Sequence, residues 1–132
     1  MKVLVTGATG FIGRDLCIRL GEAGHRVVAL SRNPIKAKQR LPTLEQIFLW
    51  TPPYSWPQPE AFEGVDAIVH LAGERICGRW TAAKKREIMD SRVYGTQTLL
   101  ASISQLDNRP KILISASAIG WYGECGDTIL TE

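Results

Sequence analysis

Apolar residues along this chain gather in short runs separated by glycine, proline and polar clusters. Val3 to Thr6 is a compact apolar run stopped by Gly7, the pattern of a strand buried on both faces. From Phe11 to Ala23 the apolar positions Phe11, Ile12, Leu16, Ile18 and Leu20 fall near helical spacing, and Gly24 stands where a C′ glycine ends a helix. Val27 to Leu30 reads as a second strand. Asn33-Pro34 then reads as the N-cap and first residue of a short basic helix running to Arg40.

Gln46 to Trp50 is a third strand candidate. Four of the seven prolines lie between Thr51 and Pro59, so this crossover is expected as loop without a visible helix. Asp66 to Ala72 holds the fourth strand, closed by Gly73; Thr81 opens a long helix to Gln105; and Pro110 precedes a fifth strand, Lys111 to Ser115. Short apolar strands alternating with helices predict an α/β fold, a Rossmann-like doubly wound parallel sheet.

Composition narrows the class without naming a function. With 132 residues, 45% apolar and 22% charged, the chain has the make-up of one globular domain and not of a disordered tail. No apolar run approaches the roughly 18 residues of a membrane helix. A net charge of +3 spread along the chain argues against nucleic acid and membrane as partners. Cys17, Cys77 and Cys125 fit neither a CxxC pair nor a zinc spacing, so no metal is expected. With no apolar leader after Met1-Lys2, a cytoplasmic location is expected.

The segment Gly7-Ala8-Thr9-Gly10-Phe11-Ile12-Gly13 carries the chemistry. It leaves the first strand and opens the first helix, the setting of a dinucleotide-binding turn. Gly7 permits the sharp turn, Gly10 lets backbone amides approach a pyrophosphate, and Gly13 lets the helix pack closely on the sheet. The free N–H groups and the helix dipole favour the anion. No Gly-Lys-Ser/Thr follows, which excludes a P-loop.

Strand two ends Leu30-Ser31-Arg32-Asn33, without the acid that accepts the ribose 2′-OH of NAD. Arg32 offers a two-pronged contact to a 2′-phosphate and Ser31 a hydroxyl donor, so NADP(H) is expected over NAD(H). The competing reading leaves Arg32 as a solvated strand-end residue. Lys36, Lys38 and Arg40 are expected on a solvated face, as are Lys84, Lys85 and Arg86, which sit in a first helical turn against the dipole.

Thr6 to Gly13 resembles the TGxxGxxG signature of the extended short-chain dehydrogenase/reductase (SDR) superfamily. His70-Leu71-Ala72-Gly73 is similar to its strand-four motif, Arg92-Val93-Tyr94-Gly95-Thr96 to its NVxGT helix motif, and Ser115-Ala116-Ser117 to its strand-five serine motif. Together with Gly73-Glu74, Arg79-Trp80-Thr81, Asp90-Ser91-Arg92 and the stretch from Ser115 to Gly123, they resemble an atypical NAD(P)-dependent epimerase-like subfamily. Its members are called nucleoside-diphosphate-sugar epimerase family proteins, some of them cell-division inhibitors.

The resemblance implies cofactor contacts from Gly7, Thr9, Gly10, Phe11, Ile12, Gly13, Ser31, Arg32, Leu71, Ala72, Gly73 and Arg92, and a catalytic serine at Ser117. Counting back from Tyr122-Gly123 would place Ala118 there instead, because Gly120 adds a residue; the strand is the firmer reference and favours Ser117. The superfamily's Tyr-x-x-x-Lys pair, in which a cation depresses a phenol near pKa 10, has no match: Tyr54, Tyr94 and Tyr122 precede Gln58, Thr98 and Gly126 at that spacing. Tyr122 is expected in packing or substrate contact.

Arg92 replaces the Asn that usually orders a water-linked proton path, and an arginine cannot accept hydrogen bonds. It is left to bind a substrate anion or to pair with Glu74 or Asp90. Thr51 stands where many members place an adenine-binding Asp. Trp80 and Trp121 are read either as walls of a cleft or as core filling.

The resemblance implies an NADP(H)-binding domain of an epimerase, dehydratase or reductase acting at a hydroxyl or carbonyl carbon, for instance of a nucleotide-sugar. The alternative is a non-enzymatic NADP(H)-binding regulator, such as one related to cell division, acting through protein partners. A small-molecule substrate is expected, and homodimer formation stays open. Residues 1–132 are expected to be the cofactor-binding front of a longer protein.

Overall fold

The computed structural model describes residues 1–118, 123–129 and 131. Its strands are β1 (Lys2–Thr6), β2 (Arg26–Ser31), β3 (Gln46–Leu49), β4 (Ala67–His70) and β5 (Ile112–Ser115). The helices are α1 (Phe11–Glu22), α2 (Pro34–Arg40) and α3 (Ala82–Ser104). All strand pairs are parallel, in the order β3-β2-β1-β4-β5. The order reverses at β1, so the crevice beyond its C-terminal end is the place where such sheets bind ligands.

Local signals set the helix ends. After α1, His25 N–H donates to Leu20 O at 2.9 Å and Gly24 N–H to Gly21 O at 3.0 Å, the paired closure of a Schellman turn. Asn33 Oδ1 accepts from Lys36 N–H at 2.9 Å, and Thr81 Oγ1 from Lys84 N–H at 3.2 Å, each capping its helix as expected.

The two-residue period of the strands splits the core into two layers. Val3, Val5, Val27, Ala29 and Val69 pack with Cys17, Leu41 and Leu44 on the α1/α2 side. Leu4, Val28, Leu30 and Ile68 pack with Trp50, Phe62 and Leu99 on the other. Each large aliphatic side chain so buried contributes about 1.5–3 kcal/mol. Burial also pushes the Cys17 thiol up to about 11, making it an inert packing group.

The crossover from β3 to β4 contains a single 3₁₀ turn, Pro59–Phe62. Trp50 lies just past β3 instead of within it; fully buried, it anchors the crossover by donating Nε1–H to Ser55 O at 2.9 Å. The aliphatic residues of β5, by contrast, are 44–56% exposed. Among the described residues no helix is long and apolar enough to cross a membrane.

Candidate dinucleotide site

The turn after β1 is built by close backbone approach. Gly7 has φ +69°, and a Cβ there would lie 2.7 Å from the Leu71 carbonyl carbon and oxygen. A Cβ on Gly13 would lie 2.3 Å from Gly7 O, so only glycine lets α1 seat against the turn. The first intrahelical bond of α1 runs from Arg14 N–H to Gly10 O at 3.0 Å. The N–H groups of Phe11, Ile12 and Gly13 therefore precede the helical ladder. Gly10 supplies no side-chain cap and the first turn carries no acid. Phe11 is 98% exposed, leaving the helix start open. This cradle of uncapped amides at the positive end of a helix dipole fits a pyrophosphate.

Beneath the cradle, Thr6 and His70 pair across β1 and β4. Thr6 Oγ1 accepts N–H bonds from Leu71 at 3.1 Å and Ala72 at 3.0 Å, and lies 2.7 Å from His70 Nδ1. With both lone pairs engaged, the hydroxyl must donate its proton to Nδ1. His70 is thereby the neutral Nε2–H tautomer, donating to Thr96 Oγ1 at 3.1 Å. Burial lowers its pKa from the ordinary histidine value, in keeping with that state. The imidazole thus ties the backbone after β4 to α3 and fixes Leu71 and Ala72 against Gly7. The sequence places Thr6 and His70 in two separate motifs; their pairing depends on strand register.

Arg32 follows β2 and is exposed, with Nη1 3.5 Å from Glu74 Oε2. Ser31 Oγ accepts from Asn33 N–H at 3.2 Å. Glu74 is the ionic hub that sequence reasoning missed: Lys84 Nζ bonds its Oε1, and this ammonium holds the carboxyl below the usual carboxylate range. The expectation of a solvated Lys84 is corrected accordingly, since its side chain is only 23% exposed. Lys85 and Arg86 are exposed as expected.

Arg92 pairs with neither Glu74 nor Asp90. Its Nη1 donates to the carbonyl oxygens of Glu74 at 3.2 Å and Ile88 at 3.1 Å, and its head lies against Gly73, so it braces the loop after β4. Trp80 is 56% exposed and donates Nε1–H to Ile76 O at 2.7 Å, which rules out core filling. Thr51 is engaged in a turn, its N–H bonded to Ser55 Oγ at 2.8 Å. Ser117 is exposed two residues past β5, on the same edge of the sheet as Leu71–Gly73. Trp121 and Tyr122 lie outside the described residues.

A parallel sheet reversing order at a glycine-lined helix start defines a dinucleotide-binding domain. The model of the NAD dependent epimerase/dehydratase family matches residues 3–132, and the chain belongs to that family. It is 37% identical to the epimerase family protein YfhF of Bacillus subtilis, over all of this chain and 42% of that protein. It is 40% identical to the chloroplastic SDR39U1 homolog of Arabidopsis thaliana, over all of this chain and 38% of that protein. The crystal structure of human SDR39U1 with NADPH superposes with a TM-score of 0.72 at 32% identity, covering 92% of this chain and 38% of that one. The chain thus spans about two fifths of the length of these relatives.

Proposed function

We propose that this chain binds NADP(H) in preference to NAD(H), as the cofactor half of an epimerase, dehydratase or reductase acting at a hydroxyl or carbonyl carbon, for instance of a nucleotide-sugar. The observation that carries the binding reading is the uncapped start of α1 over the Gly7 turn. Arg32 supports the phosphate preference: it is the exposed cation at the end of β2, beside Ser31 and with no acid at that position. When bound, the nicotinamide supplies hydride transfer. On this chain's side, Gly7 to Gly13, Leu71, Ala72 and Gly73 shape the cradle, and Ser117 is the candidate to polarise the substrate oxygen.

A cytoplasmic location and a small-molecule substrate belong to the same reading. The rival, a non-enzymatic NADP(H)-binding regulator, draws support from Arg92, which braces a loop and cannot accept the hydrogen bond by which the usual Asn orders a water.

Titration with NADPH and NADH, followed by nicotinamide fluorescence, tests the proposal. Arg32→Ala is expected to weaken NADPH about ten- to a hundredfold, the worth of a hydrogen bond to a charged group, and to leave NADH nearly unchanged. Equal losses for both cofactors, or none, would remove Arg32 from phosphate recognition.

A further inference from the structure

Glu74 meets a different cation at each of its two carboxylate oxygens. Its Oε1 is bonded by Lys84, and its Oε2 is 3.5 Å from Arg32 Nη1. The Glu74 backbone is held as well: its N–H donates to Ser91 Oγ at 2.9 Å, and its carbonyl accepts from Arg92 at 3.2 Å. Arg32 follows β2 and Glu74 follows β4, with β1 between those strands. The Arg32–Glu74 contact therefore joins the segments that follow the two strands flanking β1. The two cations are not equivalent. Lys84 is 23% exposed and tightly held, whereas Arg32 is 69% exposed at a long distance.

We propose that Glu74 is a specificity-determining residue: its carboxylate pairs with Arg32 and competes with the 2′-phosphate for it. The proposal rests on the NADP(H) reading above. A carboxylate and a phosphate present the same paired acceptors to a guanidinium, so binding exchanges one anion for another on Arg32. Lys84 keeps Glu74 paired after Arg32 leaves, so no uncompensated charge remains. The exchange tunes affinity instead of blocking it, since an exposed pair of this kind is worth at most about fivefold. NADH offers no 2′-phosphate, and its affinity is insensitive to Glu74.

The test compares NADPH and NADH binding by fluorescence in the wild-type chain, Glu74→Gln, Lys84→Met, Arg32→Ala and the Glu74→Gln/Arg32→Ala pair. Glu74→Gln is expected to bind NADPH about two- to fivefold tighter with NADH almost unchanged. Lys84→Met leaves Arg32 as the sole cation on Glu74 and weakens NADPH by a similar factor. The gain from Glu74→Gln disappears when Arg32 is already Ala. NADPH binding by Glu74→Gln that equals or falls below wild type overturns the proposal, as does a gain that persists without Arg32. A lower melting temperature with weaker binding of both cofactors would make Glu74 a structural residue, also overturning it. Failure of the underlying reading shows separately, as an unchanged NADPH-to-NADH ratio in Arg32→Ala alone.

Discussion

β4 and β5 are neighbours in register, and each is a run of aliphatic residues ending in a polar one: Ala67-Ile68-Val69-His70 beside Ile112-Leu113-Ile114-Ser115. Every residue of β4 is buried and every residue of β5 is exposed. Composition therefore does not decide burial; the neighbours do. β4 lies between β1 and β5 and contributes to both core layers, whereas among the described residues β5 pairs with β4 alone. The same contrast separates the two ends of the candidate site. The phosphate cradle is set by backbone contacts too close for any Cβ, while Ser117 follows an exposed strand.

The contrast can be broken most sharply in the strands themselves. Ile68→Ala should cost about 4 kcal/mol, as a fully buried aliphatic truncation does, and Ile114→Ala less than about 1 kcal/mol. Urea unfolding of the two variants measures both; equal costs would mean that β5 is covered in solution. Gly13→Ala should cost about 3 kcal/mol, because its Cβ would meet Gly7 O at 2.3 Å, and should abolish NADPH binding by moving α1 off the turn. Retained NADPH affinity in this variant would show that the cradle does not hold the phosphates.

The smallest effect concerns His70. Its folded-state pKa is lowered by burial below the ordinary value near 6.5, so below that pH the unfolded chain binds more protons than the native one. Stability is full above pH 6.5 and falls as pH drops toward the folded pKa, with a slope of at most about 1.4 kcal/mol per pH unit for one proton. Urea unfolding between pH 7.5 and 5.5, in a His25→Gln background, measures it. A flat profile would contradict the neutral imidazole bridging Thr6 and Thr96.

The elements legible in the sequence are those whose signals are local. The strand, the glycine turn, the Gly24 closure of α1 and the Asn33 cap of α2 all lie within a few residues of what they control, and the structure has each of them in place. The missed features join residues far apart. Glu74 meets Lys84 across a loop without regular structure, so Lys84 read as solvated. Thr6 meets His70 across 64 positions, through a parallel register that no local pattern specifies. The crossover hid for another reason: its 3₁₀ turn is four residues long, too short for helical periodicity, and it is held by the buried Trp50 and Phe62. Arg92 misled because residue type alone suggests an ionic partner, while the nearest acceptors are carbonyls.

If cofactor phosphates sit on the start of α1 with Arg32 at their edge, an NADPH titration followed by backbone amide NMR reads it residue by residue. The largest shifts are expected at Phe11, Ile12, Gly13 and Arg32, with Ile112 to Ile114 far less affected. Shifts centred instead on the exposed groove between Tyr54, Trp56 and Tyr94, or no shifts at millimolar NADPH, would contradict it.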